Sequence, residues 1–74
     1  MNNDNLIRMA NRIGAFFAAM PDREEAMHDL AQHVRRFWEP RMRVQLFEHL
    51  DTRHGEGVDE LVVKSLERHR SMFN

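Results

Sequence analysis

Apolar side chains recur at steps of three and four residues along most of this chain, which is the spacing of one face of an α-helix. The first such stripe comprises Leu6, Ala10, Ile13, Phe17 and Met20. Phe16 lies beside this stripe and is expected to widen its apolar face. Pro21 ends the stripe, because proline lacks the N–H that a helix interior needs. The pattern predicts a first helix over about residues 5–20, capped by Asp4 or Asn5.

Two further stripes lie on either side of Pro40. A second helix is predicted over about residues 23–38, and Asp22 with Glu25 has the spacing of a capping box at its start. Its apolar face comprises Ala26, Met27, Leu30, Val34, Phe37 and Trp38. Proline disfavours helix in the preceding residue and fits the first position of a helix, so we expect a corner and then a third helix over about residues 41–53. The apolar face of that helix comprises Met42, Leu46, Phe47 and Leu50.

The last predicted helix covers about residues 60–71, with Asp59 as its N-terminal cap. Gly55 and Gly57 precede it, and one of them is expected to take the left-handed conformation that ends helices. The apolar face of this helix comprises Leu61, Val62, Leu66, His69 and Phe73. No segment shows the alternation of a strand. We therefore predict an all-α fold, a small bundle of three to four short helices in a single domain spanning residues 1–74.

Gly14 is the one glycine inside a predicted helix. It costs that helix about 1 kcal/mol relative to alanine. One interpretation is that another helix, or the backbone of a partner, approaches closely at this position. The other is that a small residue is merely tolerated there, and the sequence alone leaves both open.

Composition narrows the possible functions. A chain of 74 residues buries only about 60% of the surface that it exposes when unfolded, so it depends on tidy packing or on a partner. Absence of cysteine excludes a disulfide framework, a thiolate metal site and a cysteine nucleophile. A net charge of −1 argues against nucleic-acid binding by bulk electrostatics. Without signal-peptide features or a membrane-length apolar stretch, we expect a cytoplasmic protein that binds no membrane.

The five histidines do not have the spacing of a metal site. His28 and His33 are five residues apart, as are His49 and His54, whereas two ligands on one helix need a spacing of three or four. A metal site would require distant histidines to converge. The chain also lacks a nucleophile motif and a glycine-rich phosphate loop. We therefore expect neither catalytic residues nor a bound metal or cofactor.

Residues 33–43, with the sequence HVRRFWEPRMR, are the most informative segment. They hold four arginines, the only tryptophan, a phenylalanine and a methionine around one proline. These residue types are enriched in protein–protein interfaces, and tryptophan and arginine dominate binding hot spots. We therefore predict a docking surface at this corner. The residues predicted to bind a partner are Arg35, Arg36, Phe37, Trp38, Pro40, Arg41, Met42 and Arg43, with Phe16 and Phe17 adding apolar contact.

A purely structural interpretation of the same segment remains open. Arg35 and Arg36 lie near a helix C-terminus, where each cation complements the helix dipole by about 0.3–1 kcal/mol. Trp38 can belong to the core. Adjacent residues of a helix point about 100° apart, so Phe37 and Trp38 cannot both face inward. One of the two rings is expected at the rim of the core, beside the arginine side chains.

Three segments of the chain together carry a family resemblance. They are residues 6–17 (LIRMANRIGAFF), 33–43 (HVRRFWEPRMR) and 57–62 (GVDELV). With the connection over residues 21–30 they span almost the whole chain, and the FWEPRMR portion is the specific one. The chain resembles the delta subunit of the cytoplasmic NAD-dependent, molybdenum- or tungsten-containing formate dehydrogenases.

The resemblance implies a non-catalytic accessory subunit in a complex that oxidises formate to carbon dioxide with NAD as the acceptor. It implies that the catalytic (alpha) subunit carries molybdopterin guanine dinucleotide with molybdenum or tungsten, together with iron–sulfur clusters. Other subunits would carry FMN and the NAD site. This chain would dock on the catalytic subunit and support assembly, stability or molybdenum-cofactor maturation. In that case the arginines of residues 33–43 would engage an acidic or anionic surface of the catalytic subunit.

Two other hypotheses use the same arginines differently. In one, their guanidinium groups hold the pyrophosphate of the molybdenum cofactor during its insertion, since arginine forks match phosphate geometry. In the other, the chain is a small helical nucleic-acid-binding or regulatory module, and its binding falls steeply with salt. The near-neutral charge makes nucleic acid the less favoured partner.

Overall fold

The computed structural model describes residues 2–73 as four α-helices followed by a short 3₁₀ helix. The α-helices are α1 (Asn3–Ala18), α2 (Arg23–Phe37), α3 (Pro40–Arg53) and α4 (Glu60–Arg68), and the 3₁₀ helix is Arg70–Phe73. No strand occurs in residues 2–73. The predicted all-α bundle of short helices is confirmed.

The first helix starts earlier than the sequence predicted. The Asn2 side chain accepts a hydrogen bond from the backbone N–H of Asn5 at 2.8 Å, which makes Asn2 the N-terminal cap. The predicted cap at Asp4 or Asn5 is therefore wrong. Several consecutive residues here can cap a helix, and only Asn2 has the extended backbone that the position requires. The helix ends at Ala18, three residues before Pro21, which has no N–H to continue the helical hydrogen bonds and disfavours helix at Met20.

The start of α2 and the corner before Pro40 have the local structure that the sequence predicts. Asp22 accepts a hydrogen bond from the backbone N–H of Glu25 at 3.1 Å, as predicted for the start of α2. Trp38 and Glu39 are both extended, and Pro40 is the first residue of α3. The predicted corner therefore consists of two extended residues between α2 and α3.

The segment that follows α3 contains three residues with left-handed backbone, which is more than the sequence predicted. His54 has φ 57°, Gly55 has φ 70° and Gly57 has φ 83°. The expectation of one left-handed glycine is corrected: His54 is the C-terminal cap, and both glycines follow it in the left-handed region. Asp59 precedes α4 as predicted, yet its side chain makes no capping bond. Its backbone N–H instead donates to the side-chain oxygen of Asn11, at 2.8 Å.

All four helices contribute to one apolar core. Six of its side chains that are fully buried are Leu6, Leu30, Val34, Leu46, Val62 and Leu66. The helix α2 lies centrally, packing on α1 and α4. Two predicted members of the apolar faces are instead exposed: Phe16 is 72% and Phe37 is 71% exposed. Their stripes are correct, but each ring lies at the margin of its helix face.

The packing of α1 on α4 explains Gly14. A Cβ atom at this position would lie 2.7 Å from Cγ2 of Val62, which is itself fully buried. Close approach of another helix is therefore the correct one of the two interpretations. Beside it, the Asn11 side chain donates to the Gly57 carbonyl at 2.9 Å and accepts from the Asp59 N–H. We call these five residues the α1–α4 junction.

Candidate docking surface

The two adjacent rings at the end of α2 have opposite surroundings. Trp38 is only 6% exposed and belongs to the core, whereas Phe37 reaches solvent. The backbone N–H of Trp38 donates to the Val34 carbonyl at 3.1 Å, so the last turn of α2 fixes the direction of its side chain. One ring is inside and one outside, as the 100° rotation between helix neighbours requires.

Two of the four corner arginines bind the chain's own backbone. Arg35 Nε donates to the Met72 carbonyl at 2.8 Å and so ties the 3₁₀ helix to α2. Arg43 donates to the Arg35 carbonyl at 3.0 Å. That carbonyl lies in the last turn of α2 and has no partner within the helix. Both arginines therefore stabilise the corner itself, and part of their donor capacity is used.

The other two corner arginines have no such partner. Arg36 and Arg41 are exposed, and within residues 2–73 neither forms a hydrogen bond or an ion pair. Arg36 lies in the last turn of α2, where the helix dipole favours a cation. Arg41 lies in the first turn of α3, where the dipole disfavours one. The fold of this chain supplies no reason for a cation at position 41.

Four rings form a continuous row across α1 and α2. The ring centroids of Phe16 and Phe17 are 5.1 Å apart, those of Phe17 and His33 are 5.9 Å apart, and those of His33 and Phe37 are 4.9 Å apart. The first two pairs meet edge to face, a favourable geometry for aromatic rings. We call Phe16, Phe17, His33 and Phe37 the aromatic row. It joins the three predicted phenylalanines into one surface.

Sequence reasoning missed His33 as a member of this surface. Its spacing of four from Phe37 on one helix was the available signal, since such residues are neighbours on the helix surface. The contact of His33 with Phe17 joins α2 to α1 and has no counterpart in the sequence pattern. The two inner rings, Phe17 and His33, are half-buried, while the two outer rings are exposed.

The remaining predicted contact residues lie on α3. Pro40 is exposed, and Met42 is half-buried against the core. Pro40 also lines a groove whose apolar floor includes Phe47 and Phe73, with ring centroids 4.9 Å apart.

The rim of this groove carries a matched ion pair. Arg70 lies over the Phe47 ring at 4.8 Å and donates two hydrogen bonds to Asp51, at 2.9 and 2.6 Å. These bonds lower the pKa of Asp51 below its ordinary value of 3.8. The pair neutralises itself, so it offers no unmatched charge to a ligand.

Two distant histidines, His28 and His69, meet in the structure, so the histidines need to be compared with the requirements of a metal site. Residues 2–73 contain no group of three or more histidine, aspartate or glutamate side chains placed to hold a metal ion. His28 contacts His69 edge to face, with centroids 5.6 Å apart. His49 is buried and its Nε2 lies 2.7 Å from the Glu56 carbonyl, which fastens the loop after α3. These side chains have structural contacts.

No helix within residues 2–73 is long and apolar enough to cross a bilayer.

Comparison with known protein families gives a match over most of the chain. The family model described as NADH-dependent formate dehydrogenase delta subunit FdsD matches residues 5–66 of the 74. The matched region includes the aromatic row and the whole of residues 33–43, and it ends before the 3₁₀ helix. A search of curated proteins and a search of solved structures each found no match.

Proposed function

The chain belongs to the NADH-dependent formate dehydrogenase delta subunit family, and from this premise we propose that it is a non-catalytic accessory subunit. It docks on the catalytic (alpha) subunit and supports the assembly, stability or molybdenum-cofactor maturation of the complex. Molybdopterin guanine dinucleotide, iron–sulfur clusters, FMN and the NAD site belong to the other subunits in this proposal.

The observation that carries the docking proposal is the combination of an exposed ring with unmatched cations. Phe37 is 71% exposed; Arg36, next to it in the chain, and Arg41, in the first turn of α3, have no partner within residues 2–73. A small domain gains stability by burying large rings, so a ring kept in water beside free guanidinium groups suits a partner rather than the fold. Aromatic and arginine side chains of this kind supply most of the binding energy at interfaces.

The charge of the corner indicates the kind of surface it fits. Glu39 is the only carboxylate within residues 33–43, against four arginines. Arg41 stands at the unfavourable end of the α3 dipole and would gain most from an external anion. An acidic surface on the catalytic subunit meets both conditions.

Of the two serines, Ser65 is shielded from any substrate. Ser65 is fully buried, and its hydroxyl donates to the Leu61 carbonyl at 2.6 Å within α4. Its oxygen therefore lies out of reach of a substrate. Non-catalytic docking uses what the described residues do offer, namely an exposed ring and free cations.

Charge reversal at the two free arginines tests the proposal. The variant Arg36→Glu/Arg41→Glu is co-expressed with the other subunits, and its recovery with the catalytic subunit is measured. We expect at least a tenfold loss of recovery, since close charge pairs at interfaces often contribute about 1.5 kcal/mol or more each. The isolated variant should keep its helical circular dichroism, because both side chains are exposed.

The matched control is Arg8→Glu/Arg53→Glu. It reverses two cations that are also exposed, and Arg53 also lies in the last turn of a helix. Recovery of the complex should match that of the wild type. Equal recovery of the corner variant and this control would contradict docking through the corner. The molybdenum content and formate-dependent NAD reduction of the same preparations then test maturation: unchanged values in a complex that has lost the subunit would refute that role.

A further inference from the structure

The aromatic row is an apolar surface that the chain itself leaves open. Its outer rings, Phe16 and Phe37, are 72% and 71% exposed, although each contacts an inner ring of the row. They are two of the four large apolar side chains that are exposed in residues 2–73. Contiguous exposed rings mark interaction sites more often than isolated ones do. The row crosses from α1 to α2, so a partner lying along it would contact both helices.

Cations border this row. Arg12 lies one helical turn before Phe16, and Arg36 lies one turn after His33. Both are exposed, and neither has a hydrogen-bond or ion-pair partner within residues 2–73. The carboxylate on the same side of α2 is Asp29, one turn before His33, and it lies 3.3 Å from the His28 ring. The border of the row therefore presents net positive charge.

This arrangement restricts the occupant. Two copies of the chain that met face to face through the row would bring four guanidinium groups and only two carboxylates, Asp29 of each copy, into one interface, and this excess of positive charge costs free energy. An apolar segment with carboxylates at its edges instead fills the space over the rings and pairs the guanidinium groups.

We propose that the aromatic row is the main binding surface of this subunit and that its occupant is an apolar segment of a partner subunit edged by Asp or Glu side chains. This inference rests on the proposed docking function and specifies where the larger part of its affinity arises. Burial of one exposed phenylalanine ring increases affinity by about ten- to 100-fold. The free arginines add charge pairing and orientation.

Truncation of the outer rings tests the row. Phe16→Ala and Phe37→Ala should each lower the affinity for the catalytic subunit at least about tenfold. The matched control is Val44→Ala, which shortens another exposed apolar side chain, 64% exposed and on α3. It should leave the affinity unchanged. Circular dichroism of each isolated variant checks that the helices persist.

The outcomes separate this inference from the docking proposal. If Arg36→Glu/Arg41→Glu releases the subunit while both ring variants bind like the wild type, docking stands and the row is refuted as its main surface. If the wild-type chain itself does not associate with the catalytic subunit, the docking proposal fails first. If the isolated wild type is dimeric and Phe37→Ala makes it monomeric, the occupant is a second copy and the inference is overturned.

A photo-crosslink identifies the occupant directly. The variant Phe37→benzoyl-phenylalanine, assembled in the complex and irradiated, should label a segment of another subunit that combines apolar residues with Asp or Glu. Labelling of a basic segment, or labelling no greater than from the same group at Val44, would overturn the proposal. Binding of the isolated chain to anionic lipid vesicles that is lost in Phe16→Ala would likewise assign the row to a membrane surface instead.

Discussion

The helix α1 takes part in two regions that are built in opposite ways. At the α1–α4 junction, Gly14 lies so close to Val62 that a single added carbon would overlap it at 2.7 Å. At the aromatic row, two residues further along, Phe16 leaves 72% of its surface in solvent. At Gly14 the helix packs so closely on α4 that no further carbon atom fits, whereas at Phe16 it leaves a large ring exposed to solvent.

The difference shows where each region contributes free energy. Buried side chains that interlock stabilise the fold, and in a domain of this size the total stability is only about 5–15 kcal/mol. Exposed rings contribute little to folding, because their apolar surface stays in water. The free energy of burying that surface is therefore gained only when a partner binds. The same contrast occurs between neighbours at the corner, where Trp38 is 6% exposed and Phe37 is 71% exposed.

The largest expected effect comes from this neighbouring pair. Trp38→Ala should lower the free energy of unfolding by about 3–5 kcal/mol, because it removes a large ring from the core. Phe37→Ala should lower it by no more than about 1 kcal/mol, since the side chain is 71% exposed and the ring contact that it loses is the one with His33. Urea denaturation followed by circular dichroism measures both values. Similar losses in the two variants would refute the division between core and surface at this corner.

A smaller effect is expected at the junction. Gly14→Val should destabilise the chain by about 2–3 kcal/mol, because the added carbons overlap a fully buried neighbour. Val62→Ala in the same chain makes room, so the double variant should be more stable than the sum of the single effects by about 1–2 kcal/mol.

The control for that pair is Ala15→Val, which introduces the same side chain at the next, exposed position of α1. Its cost should be limited to the helix propensity of valine, about 0.5 kcal/mol. Helix propensity alone favours valine over glycine, so a cost at position 14 no greater than that at position 15 would contradict the close contact with α4.

The smallest effect is expected for the exposed ion pair beside the α3 groove, and it depends on pH. The hydrogen bond from Arg70 holds the pKa of Asp51 in the folded chain below the ordinary value of 3.8. This contact therefore stabilises the fold fully above that value, and its contribution is lost as the pH falls through the folded pKa. The melting temperature of the wild type should slightly exceed that of Asp51→Asn near neutral pH, and the two should converge in acid. A difference that persists unchanged in strong acid would contradict this assignment.

Local rules predicted the helix boundaries well where few residues could satisfy them. Asp22 was the one good cap before α2, and Pro40 had to begin a helix or break one. At the start of α1, four consecutive residues could act as the cap, and local chemistry does not rank them. The structure selects Asn2, which the sequence prediction did not consider.

The candidate site was predicted as a segment but not as a surface. Residues 33–43 do contain the exposed ring and the free cations. Arg35 is engaged by the Met72 carbonyl, 37 positions away in the chain, and no spacing rule anticipates that bond. The contact between Phe17 and His33 could not be predicted from spacing either, because it depends on how α1 crosses α2.

The sequence alone determined the all-α architecture, the stripes that form the core and the family to which the chain belongs. These follow from contacts between residues three or four positions apart and from the identity of residues in short motifs. Both can be read from the linear order of residues. Which ring of an adjacent pair is buried, which arginines remain free and which aromatic side chains meet were decided only by the tertiary structure. They depend on the positions of helices relative to one another, which the periodicity of a single helix does not contain.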